Sequence, residues 1–106
     1  MSVKIIGSVD ASLEQVQEVF SEYAAQHPQA EISIYRQNSV SIRVRIIDPQ
    51  FRGVSKGARH DQIWQLVEKL PEEVQQDISV LLLLTPEETK NSLMNLEFEQ
   101  PSPSRL

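Results

Sequence analysis

The chain has no cysteine among its 106 residues, which excludes disulfides, thiol nucleophiles, thiolate metal sites and redox pairs built from its own side chains. Histidine is nearly as scarce: with only His27 and His60, a zinc site of the His and Cys kind cannot be assembled. Long apolar runs are missing too. The longest, Ile78 to Leu84, is interrupted by Ser79 and falls far short of the roughly 20 residues that span a bilayer. The opening Met1-Ser2-Val3-Lys4 lacks the apolar stretch of a signal peptide, so a cytoplasmic location is expected. No phosphate loop is present. Gly53-Val54-Ser55-Lys56-Gly57 lacks the required Gly-Lys-Ser/Thr spacing and reads as a turn in which glycine permits positive φ, although its amides, with Lys56 and Arg59, could also hold an anion. The pairs Glu72-Glu73 and Glu87-Glu88 suit helix starts, where negative charge favours the helix dipole. Nothing here assembles a nucleophile with a base or a metal-ligand set, and the chain is expected to be non-enzymatic, with no metal or cofactor of its own.

What remains is an ordinary globular composition, 40% hydrophobic and 24% charged, at a length suited to one domain with one core. The domain is expected to span 1–98, followed by a disordered tail over 99–106 whose Pro-Ser-Pro-Ser composition is the only biased segment. The net charge is −5, which argues against general nucleic-acid affinity. Its distribution is uneven. From Arg36 to His60 there are six basic residues, Arg36, Arg43, Arg45, Arg52, Lys56 and Arg59, against the single acid Asp48, a local charge of +5 that leaves −10 for the remainder. This stretch is either a solvated basic face or a docking surface for an acidic partner.

Hydrophobic spacing organises the chain. Ser12 with Gln15 fits a capping box, and Leu13, Val16, Val19, Phe20 and Tyr23 form one apolar stripe, predicting a helix from about Leu13 to Gln26 that stops at His27-Pro28. From Glu31 the period becomes two: Ile32 and Ile34, then Val40, Ile42, Val44 and Ile46, alternate with Ser33, Tyr35, Arg43 and Arg45 about a turn at Gln37-Asn38-Ser39. That is a hairpin whose aliphatic face is buried and whose Tyr35, Arg43 and Arg45 share the exposed face. Ser55 is placed to cap a second helix with Ile63, Trp64, Val67 and Leu70 inward. Ile78 to Leu84, without alternation, reads as a central strand buried on both faces, and Thr85-Pro86-Glu87-Glu88 starts a last helix reaching about Leu96. The expected fold is α+β in the order α-β-β-α-β-α, a three-stranded mixed sheet with helices on one face; Val3 to Ile6 could add a short N-terminal strand.

The segment Phe51-x-Gly53-x-Ser55-x-x-x-Arg59-His60-x-x-Ile63, followed by Trp64 and Val67, resembles the signature of the BolA family. As in that family, an aliphatic strand ending in an Asp-containing turn precedes it (Ile42 to Pro49), and a hydrophobic strand leading into Thr85-Pro86-Glu87 follows. The resemblance implies a fold similar to class II KH domains and an adaptor role: BolA-like proteins pair with monothiol glutaredoxins in iron–sulfur handling and iron sensing, and some are linked to DNA binding and stress responses. Family cluster ligation uses a histidine near the start of the last strand and a Cys or His in the loop between the first two strands. This chain has Gln76, Asp77 and Ile78 at the first place and Gln37-Asn38-Ser39 at the second, poor ligands for a soft iron centre. His60 is expected to pack against the preceding loop, with Phe51, Gly53, Ser55 and Ile63 also structural, and Arg59 to be exposed. Two functions stand side by side: an adaptor for a protein such as a monothiol glutaredoxin, and a KH-like nucleic-acid module using Arg43, Arg45, Arg52, Lys56 and Arg59. An orphan domain that kept only the fold is the third.

Overall fold

The structure is a computed structural model that describes residues 3–100. Strand β1 (Val3–Ile5) is followed by helix α1 (Ala11–Gln26), strands β2 (Glu31–Asn38) and β3 (Ser41–Ile47), helices α2 (Lys56–Val67) and α3 (Glu72–Asp77), strand β4 (Ile78–Leu84) and helix α4 (Leu93–Glu99). Short 3-10 turns cover Pro49–Phe51 and Glu87–Asn91. The fold is α+β, as the pattern predicts. Of the expected tail 99–106, Glu99 closes α4 and residues 101–106 lie outside the described residues.

The sheet has four strands in the order β1-β2-β3-β4, one more than the core expectation. The N-terminal segment supplies the extra strand by lying parallel to β2, Val3 opposite Ile32 and Ile5 opposite Ile34. Strands β2 and β3 form the expected antiparallel hairpin, with Ile32 opposite Ile46 and Ile34 opposite Val44, but β2 continues through Asn38, so the turn is Ser39-Val40 and Val40, expected on the buried face, is exposed at its tip. Strand β4 runs parallel to β3. It is therefore an edge strand, not a central one. Its unbroken apolar sequence arises because neighbouring elements shield both of its faces in part: Ile78, Leu81 and Leu83 meet the core, Leu84 is buried outside it, and Val80 and Leu82 stay half-buried.

On one face of the sheet, Leu13, Val16 and Phe20 of α1 and Ile63 and Val67 of α2 close over Ile32, Ile34, Ile42, Val44 and Ile46. All ten are essentially inaccessible to water. The helix caps are mostly those the sequence signals. Ser55 accepts from the Ala58 amide at 3.2 Å. Helix α1 is capped by Asp10 instead of Ser12: Asp10 Oδ1 accepts from the Leu13 amide at 2.9 Å, and its other oxygen accepts from Arg36 Nε at 2.6 Å, a second tie that Ser12 could not make.

The other face of the sheet departs most from expectation, because the helices do not all lie on one side. Thr85 and Glu88 exchange capping-box bonds, Thr85 N to Glu88 Oε1 at 2.9 Å and Glu88 N to Thr85 Oγ1 at 3.3 Å, but only a 3-10 turn follows. The chain restarts at Ser92, whose Oγ accepts from the Asn95 amide, and α4 lays Phe98 edge-on against Tyr35, with ring centroids 5.1 Å apart. Tyr35 and Phe98 are both buried yet stand apart from the main core.

Candidate functional site

The loop-to-helix junction after β3 is built from local chemistry. Asp48 Oδ1 accepts from the Gln50 amide at 2.9 Å, turning the chain through Pro49–Phe51 and burying Phe51. Gly53 then adopts φ +77°, a conformation that costs a residue with a Cβ about 1–2 kcal/mol. Ser55 starts α2. Arg59, one turn on, is only 4% exposed. Its Nε donates to Val54 O (2.9 Å), Nη1 to Leu83 O (2.9 Å) and to Glu88 Oε1 (2.6 Å), and Nη2 to Glu88 Oε2 (3.2 Å), while its guanidinium lies 5.4 Å from the Phe51 ring centre. The Leu84 carbonyl accepts from the Asp48 amide on the β3 side, so Leu83 O faces the free edge of β4 and Arg59 covers it. Arg59 also holds the Glu88 carboxyl down at about 2, with the Thr85 amide assisting.

The environments of Arg59 and His60 are the reverse of those expected. Arg59, Ile63 and Val67 follow at four-residue steps along the buried stripe, and that spacing is the signal that could have placed Arg59 inward. His60 falls on the flank, exposed, stacked on half-buried Trp64 with ring centroids 5.8 Å apart. Lys56 is exposed beside them. Trp64 also borders a shallow cleft of about 280 Å3 with Glu72, Gln75 and Gln76.

The basic stretch is otherwise dispersed. Arg45, expected on an open face, is 4% exposed beneath α4: Nη1 donates to Asn95 Oδ1 at 2.6 Å and Nη2 to Ser33 Oγ at 3.0 Å, with the guanidinium 5.4 Å from the Phe98 ring centre. Arg43 is half-buried and donates to Tyr35 Oη at 3.0 Å. Arg52 forms a two-point pair with Glu87, Nε to Oε1 at 2.9 Å and Nη2 to Oε2 at 2.5 Å, which holds the Glu87 carboxyl at about 2. Arg36 binds Asp10 and approaches Asp77 at 3.8 Å. Of the five residues proposed to contact a partner, only Arg52 and Lys56 are exposed, and Arg52 is paired with Glu87; Tyr35 holds Arg43, the α4 cover holds Arg45, and Glu88 with two backbone carbonyls holds Arg59.

One polar cluster has no counterpart in the sequence reading, where His27 marked only a helix end. Tyr23 Oη donates to Asp48 Oδ2 at 2.5 Å, and His27 Nδ1 lies 3.1 Å from the same oxygen but off the axis of a good hydrogen bond. The Tyr23 and His27 rings stack at 3.9 Å. Asp48 is 1% exposed, and burial, with the Asp48 bond next, pushes the Tyr23 hydroxyl far above its ordinary range. A locked, protonated phenol on a buried carboxylate ties the end of α1 to the end of β3. The four-residue spacing of Tyr23 and His27 was visible, but their shared partner was not.

No protein-family model, characterised protein or solved structure matches the chain at a significant level. Among the described residues, no three His, Asp or Glu side chains gather as a metal site, and no helix is long and apolar enough to cross a membrane.

Proposed function

We propose that the chain is a non-enzymatic, BolA-like adaptor that docks a protein partner on the outward side of α2, with a monothiol glutaredoxin as the first partner to test. The observation that carries this reading is the junction Phe51 to Val67. Arg59, Ile63 and Val67 are directed inward, leaving Lys56, His60 and Trp64 together on the outer side of α2. A half-buried tryptophan is among the residues that concentrate binding energy at protein interfaces. Any part in iron–sulfur handling or stress regulation would rely on ligands from the partner, since Gln76 and Asp77 precede β4, Gln37 and Asn38 end β2, and Ser39 opens the hairpin turn.

Titration calorimetry with a monothiol glutaredoxin, with and without its cluster, tests the proposal. Binding should be detectable, and Lys56→Glu and His60→Ala, both exposed substitutions, should each weaken it about tenfold or more, the scale of interface hot spots, without moving the thermal midpoint. Absence of binding in both cluster states removes the glutaredoxin link. The nucleic-acid reading is the weaker one, because Arg45 and Arg59 are buried and Arg36 and Arg52 are already paired with carboxylates.

A further inference from the structure

On the sheet face opposite α1 and α2, a cavity of about 360 Å3 opens where β1 and β2 begin and β3 ends, beside the last turn of α4. Arg45 lines it with its side chain only 5% exposed. Its Nη atoms have Asn95 and Ser33 as partners, its Nε is buried without a partner, and the neighbouring carboxylate, Glu99, stands 3.6 Å away and is 58% exposed. A buried guanidinium held by two neutral groups and one loose, solvated anion is poorly compensated. Ser33, 2% exposed, adds a hydroxyl beside it.

These groups suit a carboxylate, but Glu31 and Glu99 also line the cavity and would repel a plain anion, with exposed Lys4 offsetting only one of the two. A ligand bearing both a carboxylate and an ammonium group meets both sets. Ile47 supplies an apolar wall, and the volume lies at the low end for small-molecule sites. We propose that this cavity binds a zwitterionic α-amino acid with an aliphatic side chain, its carboxylate on Arg45 and Ser33 and its ammonium on Glu31 and Glu99. The site shares no residue with the α2 surface and stands or falls independently of the adaptor reading.

The test is an NMR titration of the 15N-labelled full chain with L-leucine, and separately with 4-methylpentanoate and 3-methylbutylamine, which keep the side chain but carry one charge each. L-Leucine should give saturable shifts at Arg45 Nε–H and at the Ser33 and Ile47 amides. Each single-charge analogue should bind about tenfold more weakly or worse, and Glu31→Gln, an exposed change that leaves the fold intact, should weaken L-leucine about tenfold, the loss of one charge-assisted contact. The proposal is overturned by absence of saturable shifts at about 10 mM L-leucine, beyond the millimolar range of weak sites. Equal affinity for 4-methylpentanoate, or no effect of Glu31→Gln, also overturns it.

Discussion

Arg59 and His60 are neighbours in sequence and face opposite environments, because successive residues on a helix point about 100° apart. Arg59 replaces water with two backbone carbonyls and a carboxylate, so removing it leaves Leu83 O and Val54 O without this donor. Arg59→Ala should cost about 2–3 kcal/mol, the scale for buried polar groups left unsatisfied, read as a lower urea midpoint. A lysine cannot reach all three acceptors from one point charge. Glu88 reports on the same contact. Its carboxyl, ordinarily near 4.5, is held at about 2 by Arg59, so the stabilisation it brings is complete above 4.5 and is lost as pH falls from there through 2. A 13C titration of the Glu88 carboxyl should show the low midpoint in the native chain, with a return toward 4.5 in Arg59→Ala.

Among the elements, α4 changes the most. The hairpin alternation correctly divides β2 and β3 into two sets of side chains, with Ser33 opposite Arg45 and Tyr35 opposite Arg43. It does not say that the second set is covered. Phe98 does the covering, and at 1% exposure its loss by Phe98→Ala should cost about 3–5 kcal/mol, with increased proteolysis after Ser92 as the accompanying sign that α4 has detached. Substitutions on the outward side of the same helix, Leu93 and Leu96, which are largely exposed, should change the unfolding midpoint little. The caps at Ser55 and Asp10 are both contacts over three residues; what favours Asp10 over the equally local Ser12 is its second partner, Arg36, 26 positions away.

At the scale of the molecule, the +5 stretch does not become a +5 surface. Asp10, Asp77, Glu87, Glu88 and Glu99, none of them within that stretch, take up Arg36, Arg52, Arg59 and part of Arg45. Binding to single- or double-stranded DNA or RNA should accordingly be absent at about 50 mM salt, conditions under which nonspecific phosphate contacts still register; a gel-shift series that found binding with a steep salt slope would restore the nucleic-acid reading. Composition, period and capping determined by themselves that this is a cysteine-free α+β chain with an amphipathic first helix, a hairpin and a capped helix after Gly53, since those signals act over a few residues. The tertiary structure alone decided that β4 is an edge, that α4 crosses to the other side of the sheet, that Tyr23 and His27 meet Asp48, that Arg45 lies under α4, and that Arg59 reaches Leu83 O. Each depends on groups brought together across 20 or more positions, where neither hydrophobic spacing nor local hydrogen bonding carries information.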